Sequence, residues 1–153
     1  MSVLRVVGAV MAPVVLVASL VVAGVSVGGN AATAEAAPGV PCRATARACV
    51  KLSTNQAWLL RDGRVVSGPV RVSHGKPGHR TPAGVFRVSY ESRDHVSSIY
   101  DVPMPFAVFF NGDIAFHQGD TRAASHGCIH LSRNDARAFF DGLRPGDVVQ
   151  VVR

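Results

Sequence analysis

The sequence predicts a mainly β domain with one or two helices, built as a pair of sheets with a helix packed on them. From Lys51 onward, short apolar segments are separated by turn residues, a pattern typical of a chain with many short strands. Residues 132–143 instead repeat their apolar side chains at helical spacing. No internal repeat interrupts this pattern, so we expect residues 51–153 to form one domain.

Two β-hairpins are predicted from their turns. Residues 57–60 are apolar and are followed by Asp62-Gly63 and a further apolar pair, and Asp-Gly is a preferred two-residue turn between strands. Residues 106–110 and 114–116 flank Asn111-Gly112-Asp113, which predicts a second hairpin with Asn-Gly at its turn.

The remaining segments are assigned from composition and alternation. Residues 73–84, with three glycines and two prolines, should form a loop. Residues 85–90 alternate apolar and polar side chains as a half-buried strand does. Residues 92–105 are polar and irregular, which predicts a surface excursion, and residues 118–124 should form another polar loop.

The helix is predicted from its cap and its apolar face. Ser132 can cap it, with Asp135 as the reciprocal partner. Gly142 and Pro145-Gly146 end it, and residues 147–152 should form a last strand. Its apolar face consists of Ala136, Phe139, Phe140 and Leu143.

Residues 1–36 differ from the rest of the chain. Arg5 precedes an uncharged apolar segment over residues 6–27, and small residues at 32–36 suit cleavage by a signal peptidase. This order predicts an export signal, so we expect an extracytoplasmic protein, either secreted or membrane-anchored. A retained membrane anchor is the alternative to cleavage, because about 20 apolar residues can span a bilayer.

The net charge of +6 bears on the class of partner. Residues 1–36 contain one Arg and one Glu, so their removal leaves this charge unchanged. A basic exported domain is attracted to polyanions such as acidic wall polymers, although a basic surface that only aids solubility is the alternative. We expect no nucleic-acid partner, because export separates the protein from it and no basic run is interleaved with aromatic residues. We expect a monomer.

Three cysteines are an odd number. Cys42 and Cys49 are seven residues apart in a segment, residues 37–50, that we interpret as a linker or short arm. Outside the cytoplasm such a pair can close a small loop, which leaves Cys128 as the unpaired thiol. Two free cysteines or an intermolecular bridge are the alternatives.

The densest group of reactive side chains is the segment from Ser125 to His130, with His117 upstream at the end of an apolar strand. Cysteine is a nucleophile in its thiolate form, so Cys128 needs a neighbouring base or cation that lowers its pKa. Histidine suits this role because its pKa lies near neutrality. The short loop after His117 can return the chain so that its ring meets Cys128.

His126 and Gly127 add to this group. His126 lies two residues before Cys128, so in an extended backbone both side chains project from the same side. Gly127 permits a tight backbone and leaves its N–H accessible. The N–H groups of Gly127 and Cys128 could therefore hold a developing oxyanion, for which one donor contributes about 3 kcal/mol.

These residues resemble the active-site signature of the L,D-transpeptidases, which have a YkuD-type catalytic domain. The Ser-His-Gly-Cys sequence preceded by His117 carries the resemblance. Residues 81–86 resemble the family's Thr-Pro-x-Gly-x-[Phe/Tyr] segment, and Ser73-x-Gly75-Lys76 precedes them in the expected order. Further matches are Met104-Pro105-Phe106 and the capped helix with its following Pro145-Gly146-Asp147-Val148, so the resemblance covers about residues 52–153.

The resemblance implies a role for each residue. Cys128 would attack the carbonyl between an L-centre and a D-centre of a peptidoglycan tetrapeptide stem and release the terminal D-alanine. His117 would be the general base, His126 would position the cysteine, and Ser125 would be a hydrogen-bonding neighbour. The acyl-enzyme would react with a diamino-acid amine to give a 3-3 crosslink, or with water to trim the stem. The implied partners are stem peptides, and neither a metal nor an organic cofactor is implied.

Two features depart from the family pattern. The segment between His117 and Ser125 is shorter than in many members, so part of the substrate-covering loop is missing or reshaped. His130 stands where the family usually has Arg or Asn, and an imidazole does not fork onto a carboxylate as a guanidinium does. We therefore expect His130 either to contribute a pH-dependent charge to substrate binding or to be peripheral. Tyr100 and Met104 are expected to border the substrate groove, with a plain surface loop as the alternative.

Three other functions compete with this one. A zinc site could use the alternating His126, Cys128 and His130, but alternate residues of one strand rarely converge on a tetrahedron. A papain-like peptidase would place its cysteine before its histidine, and here Cys128 follows His117. An inactive wall-binding module of the same fold would usually have lost the cysteine, which this chain retains.

Overall fold

The structure, a computed structural model, describes residues 37–153, and the predicted export signal over residues 1–36 lies outside the described residues. In the described range, no helix is both long and apolar enough to cross a membrane. The strands are β1 (Ala48–Lys51), β2 (Gln56–Arg61), β3 (Arg64–Arg71), β4 (Gly84–Arg87), β5 (Tyr90–Val96), β6 (Pro103–Asn111), β7 (Ile114–Gln118), β8 (Ile129–Leu131) and β9 (Val148–Val152); the helices are a 3-10 turn (Leu52–Thr54) and α1 (Arg133–Gly142).

The strands form two sheets. The first has the order β3-β2-β1-β9-β4 and the second has the order β5-β6-β7-β8. Neighbouring strands are antiparallel except for β1 with β9 and β7 with β8. The two sheets and single α-helix within residues 37–153 confirm the predicted fold class.

One apolar core joins both sheets to α1. Side chains of a strand alternate between its two faces, and Val149 and Val151 of β9 both point into this core. Phe139 of α1 is fully buried there, with its ring centroid 5.1 Å from that of Phe116 in β7. Burying a side chain of this size stabilises the fold by about 2–3 kcal/mol.

The helix begins and ends as predicted. The Ser132 hydroxyl accepts a hydrogen bond from the backbone N–H of Asp135, which caps the helix, and donates to the Asp135 carboxylate; the carboxylate thus bonds the Ser132 side chain and not its backbone N–H. α1 ends at Gly142, where Leu143 adopts an extended backbone and donates its N–H to Phe139 O. Because the cap fixes the start of α1, it also fixes the distance between α1 and β8, which ends one residue before Ser132.

The arm before β1 covers the outer face of the first sheet. Cys42 and Cys49 form a disulfide, and Cys49 lies in β1 at the centre of the sheet. Cys42 packs with Trp58 and Leu60 in a second apolar cluster. Part of the segment that we interpreted as a linker or arm is therefore packed, and its residues 48–50 belong to a strand.

The first hairpin turn is as predicted, whereas the second is displaced by one residue. Asp62 and Gly63 are the central residues of the first turn and both have positive φ, 51° and 75°. In the second hairpin Asn111 pairs with Ile114, so the turn consists of Gly112 and Asp113. Gly112 has a φ of 55°, which a glycine adopts at little cost.

The predicted strand over residues 85–90 is confirmed for residues 85–87, but it is not one continuous strand. The chain leaves the first sheet after Arg87 and enters the second at Tyr90. In between, Val88 N–H donates to Asp147 O and Ser89 N–H donates to Phe109 O, so these two residues bridge the sheets. The alternation of apolar and polar side chains continues through residues 88 and 89, so the sequence does not show that the chain passes from one sheet to the other there.

The predicted surface excursion over residues 92–105 is too long. Residues up to Val96 pair with β6, and β6 itself begins at Pro103. Only residues 97–102 form the connection, which turns through hydrogen bonds from Ser97 N–H to Val102 O and from Asp101 N–H to Ser97 O. The sequence did not reveal this strand because all side chains of β5 are exposed or half-buried at the sheet edge, so no apolar pattern marks it.

Candidate active site

The cysteine and the histidines predicted from the sequence line one groove of about 620 Å³. The connection between β5 and β6 forms one wall, and the segment leading into β8 forms the other. Of the predicted site residues, only Gly127 is absent from the lining. The groove is lined by Ser97, Ile99, Tyr100, Val102, Met104, Asp113, Ile114, His117, Ala124, Ser125, His126, Cys128 and His130.

Cys128 is a free, partly buried thiol. Its Sγ lies 3.6 Å from the carbonyl oxygen of Asp113, to which the thiol donates. Burial raises the pKa of Cys128 above its ordinary value; a backbone hydrogen bond with Ala115 opposes this, and the Asp113 carboxylate adds to it. In the described residues, Cys128 makes no hydrogen bond with His117 or His126. The resting side chain is therefore a protonated thiol, and the neighbouring base that the sequence predicted does not lower its pKa.

His117 lies at the end of β7 and is 7% exposed. Its Nδ1 lies 2.8 Å from Gln118 O. A carbonyl only accepts, so Nδ1 carries the proton and Nε2 has a free lone pair. Burial lowers the pKa of His117 to about 4, against the opposing effect of the Gln118 hydrogen bond and with smaller contributions from His130 and His95. His117 is therefore neutral at neutral pH and able to accept a proton.

His130 packs directly against His117. The parallel pairing of β7 with β8 sets these two residues opposite each other, and their ring centroids are 4.9 Å apart at an angle of 72°. His130 Nδ1 donates to Asp120 O at 3.2 Å. Gly119 permits this position, because a Cβ at Gly119 would lie 2.6 Å from Cγ of His130. The structure thus places His130 within the groove.

Ser125 and Gly127 stabilise the backbone beside the cysteine. Ser125 Oγ donates to Cys128 O at 2.6 Å and accepts the Gly127 N–H at 3.0 Å. The expectation that the Gly127 N–H holds an oxyanion is therefore wrong for this conformation, because that donor already bonds to Ser125. Gly127 has a φ of 128°, a conformation that strongly favours glycine, so its backbone geometry explains the residue.

Thr81 is a site residue to which sequence reasoning gave no role. Its hydroxyl donates to Gly127 O at 2.6 Å and accepts the Gly75 N–H at 3.0 Å, and the side chain is 4% exposed. Through these two hydrogen bonds, Thr81 connects the loop over residues 73–84 to the backbone beside Cys128. The Thr-Pro pair was visible in the sequence, but only the folded chain brings it to Gly127.

His126 occupies the exposed edge of the groove. Its backbone forms a bend rather than the extended conformation that we expected, yet its side chain still lines the groove. Lys76 Nζ donates to His126 Nε2 at 2.8 Å, which fixes the tautomer with the proton on Nδ1. The Tyr100 ring packs against the His126 ring with centroids 4.6 Å apart, and the His79 ring lies at 69° to it with centroids 4.9 Å apart. Desolvation, Lys76 and His79 all lower the pKa of His126.

The zinc alternative finds no geometric support in residues 37–153. No three His, Cys, Asp or Glu side chains in that range are grouped as metal ligands. His126 instead interacts with Lys76, and His130 with the Asp120 carbonyl.

Comparison with known proteins identifies the class. Residues 45–151 match the YkuD family, the L,D-transpeptidase catalytic domain. This match covers most of the chain, so the protein belongs to the YkuD family of L,D-transpeptidase catalytic domains. No curated protein is significantly similar to the chain in sequence.

Solved structures show the same fold. An L,D-transpeptidase from Stackebrandtia nassauensis is 29% identical with a TM-score of 0.66, covering 69% of this chain and 54% of its own. L,D-transpeptidase 1 from Mycobacterium tuberculosis is 28% identical with a TM-score of 0.62, covering 69% of this chain and 60% of its own. The L,D-transpeptidase LdtMt1, solved in complex with imipenem, is 28% identical with a TM-score of 0.62, and the match covers 69% of this chain and 57% of LdtMt1. The chain thus spans between half and two thirds of the length of these relatives.

Proposed function

We propose that this protein is a peptidoglycan L,D-transpeptidase that uses Cys128 as its nucleophile on tetrapeptide stems. The observation that supports this most is the position of Cys128 and the neutral His117 in the lining of one open groove. The groove is large enough for part of a peptide, and its apolar wall of Ile99, Val102 and Met104 suits the aliphatic portion of a stem.

The first step would form a thioester. Cys128 Sγ attacks the carbonyl carbon between the L-centre and the D-centre of the stem while Nε2 of His117 accepts the thiol proton. Because the pKa of Cys128 is raised, this proton must leave during the attack rather than beforehand. The carbon–nitrogen bond of the tetrahedral intermediate then breaks, and the departing D-amino acid takes the proton from His117 at its amine.

The second step would release the acyl group. An amine of a second stem attacks the thioester and loses a proton to His117, and the Cys128 thiolate departs and takes that proton back. The product is a 3-3 crosslink. Attack by water would instead trim the stem to a tripeptide, and both reactions use the same residues.

The remaining features of this function are also proposals. The export signal predicted over residues 1–36 supports a location outside the cytoplasm, where the enzyme would act on the cell wall. That segment would be cleaved or retained as a membrane tether. We infer a monomer that recognises stem peptides and no nucleic acid, with His126 as a positioning residue and with Ser125, His130, Tyr100 and Met104 beside the substrate.

Acylation by imipenem tests the nucleophile. A relative has been solved in complex with this compound, so the wild-type protein should gain the mass of one imipenem by intact-protein mass spectrometry, and the Cys128→Ala variant should not. A folded wild-type protein without an adduct, or an adduct that persists in the variant, would contradict the proposal. Incubation with a purified disaccharide-tetrapeptide then separates dimer, tripeptide and unchanged substrate.

A wall-binding module without turnover is the second candidate. The raised pKa of Cys128 and its hydrogen bond to Asp113 O rather than to a histidine favour this function. It predicts that the protein binds purified sacculi and leaves their muropeptide profile unchanged, together with no imipenem adduct.

A further inference from the structure

Three cavities adjoin one another along residues 71–83. The first, of about 380 Å³, shares Asn55 and Arg71 with the second, of about 250 Å³. The second shares His74 and Gly75 with the third, of about 420 Å³. Because neighbouring cavities have lining residues in common, they lie side by side, and we call the three together the basic groove.

The basic groove is lined by cations and by no carboxylate. None of its lining residues, within the part of the chain that the structure describes, is Asp or Glu. Arg71, Arg80 and Arg153 are exposed and have no ion-pair partner among residues 37–153. The five cations of the lining are Arg71, Lys76, Arg80, Arg122 and Arg153.

Cations elsewhere on the domain are of two kinds, and those at positions 43, 51, 61, 64, 87 and 133 have no ion-pair partner among residues 37–153. Arg47, Arg93, Arg137 and Arg144 each lie within 4.0 Å of a carboxylate. In the basic groove only Arg122 has such a partner, Asp120, at 3.5 Å. The other four cations of the basic groove have no carboxylate within 4.0 Å among residues 37–153, so their charge is free for a ligand.

The basic groove meets the active-site groove but has different chemistry. The two share Ala124 in their linings. The active-site groove contains histidines and one carboxylate, Asp113, and neither Lys nor Arg lines it. A ligand with several negative charges therefore finds its counter-charges in the basic groove and not beside Cys128.

We propose that the basic groove binds a linear polymer of phosphodiester-linked units, held beside the active site. Five cations in the linings of adjoining cavities, four of them without a carboxylate partner, match a chain with one negative charge in each repeat. A guanidinium group can form two parallel hydrogen bonds with phosphate oxygens, and the uncharged donors Asn55 and Thr121 line the same cavity as Arg71 and Arg122. Such attachment goes beyond the proposed reaction, since it would hold the enzyme on an anionic wall polymer while the active-site groove stays free for the stem peptide.

Binding of poly(glycerol phosphate) to the full-length protein tests this proposal. The Arg71→Gln/Arg153→Gln variant should bind about three- to tenfold more weakly, the range expected for loss of two exposed ion pairs, with a smaller dependence on salt. The matched control is Arg61→Gln/Arg64→Gln, which removes the same charge from the tip of the first hairpin, outside the cavity linings. Thermal unfolding verifies that all proteins are folded.

Each alternative has its own outcome. Equal weakening in both variants would show general attraction to net charge and overturn the proposal. Tighter binding of polyglutamate than of poly(glycerol phosphate) would indicate a carboxylate ligand, and binding of inorganic phosphate as tight as the polymer would indicate a single anion site; either result also overturns it. The Cys128→Ala variant should bind the polymer as the wild type does, so failure of imipenem acylation and failure of polymer binding are separate results.

Discussion

Thr81 Oγ1 lies 2.6 Å from the carbonyl oxygen of Gly127, so a loop residue far back in the sequence fixes the backbone next to the nucleophile. The same hydroxyl accepts the Gly75 N–H. One buried side chain therefore links the loop over residues 73–84 to the backbone of Gly127.

Replacement of Thr81 by Val should affect both stability and acylation. It leaves the Gly75 N–H and the Gly127 carbonyl unpaired in a buried place, which costs about 1–3 kcal/mol of unfolding free energy. We also expect slower acylation of Cys128 by imipenem, because the bend before it loses its anchor. Urea unfolding and the acylation rate measure the two effects.

Two control variants separate the causes. Thr81→Ser retains the hydroxyl and should stay near wild type, and Thr54→Val removes a hydroxyl that is exposed. If Thr81→Val loses stability but acylates at the wild-type rate, Thr81 supports the fold alone.

Local sequence signals predicted those parts of the fold that depend on neighbouring residues. The Asp62-Gly63 turn and the Ser132 cap with Asp135 are decided within a few residues, and both were found as predicted. The passage of the chain between sheets at Val88 and Ser89 depends on Asp147 and Phe109, which are distant in sequence, so no local pattern revealed it.

The site shows the same division. The sequence identified the residues around Cys128 but not their partners, because the contact of Lys76 with His126 and that of Thr81 with Gly127 each join segments about 50 residues apart. It also misjudged the state of the thiol. Burial and the Asp113 carboxylate, which act on its pKa, follow from the packing of the second hairpin rather than from adjacent residues.

The buried His117 should make stability depend on pH below neutrality. Its pKa is about 4 in the folded protein and about 6.5 when unfolded, so between these values the unfolded chain binds a proton that the folded one does not. Stability therefore falls as the pH drops from about 6.5 to about 4, by a total of about 3 kcal/mol, and this contribution stops changing below that range. Urea unfolding of the wild type and of His117→Gln over this pH range measures it. Equal pH slopes in the two proteins would contradict the assignment.

Lys76 should control the titration of His126. Its ammonium lowers the pKa of His126, after the larger effect of desolvation and together with His79. Lys76→Met should raise the pKa of His126. Two controls should leave that pKa unchanged: Lys76→Arg, which retains the charge, and Lys51→Met, which removes a lysine that does not contact His126. NMR titration of the His126 ring, identified with His126→Gln, measures the shift. If the neutral ring is needed for acylation, the acid limb of the rate profile moves to higher pH in Lys76→Met; an unchanged titration would show that the contact at 2.8 Å has no electrostatic effect.

Gly119 should be required for the position of His130. An added Cβ would lie 2.6 Å from the first ring carbon of His130, so Gly119→Ala must displace the ring and weaken its hydrogen bond to Asp120 O and its packing on His117. Overpacking of this kind costs about 1–3 kcal/mol of unfolding free energy, and we expect slower acylation because His117 loses a neighbour.

In a His130→Ala background the ring is absent, so the same substitution at Gly119 should cost little. A double-mutant cycle in unfolding free energy and in acylation rate measures this coupling. Equal costs in both backgrounds would show that Gly119 serves the backbone and not the imidazole.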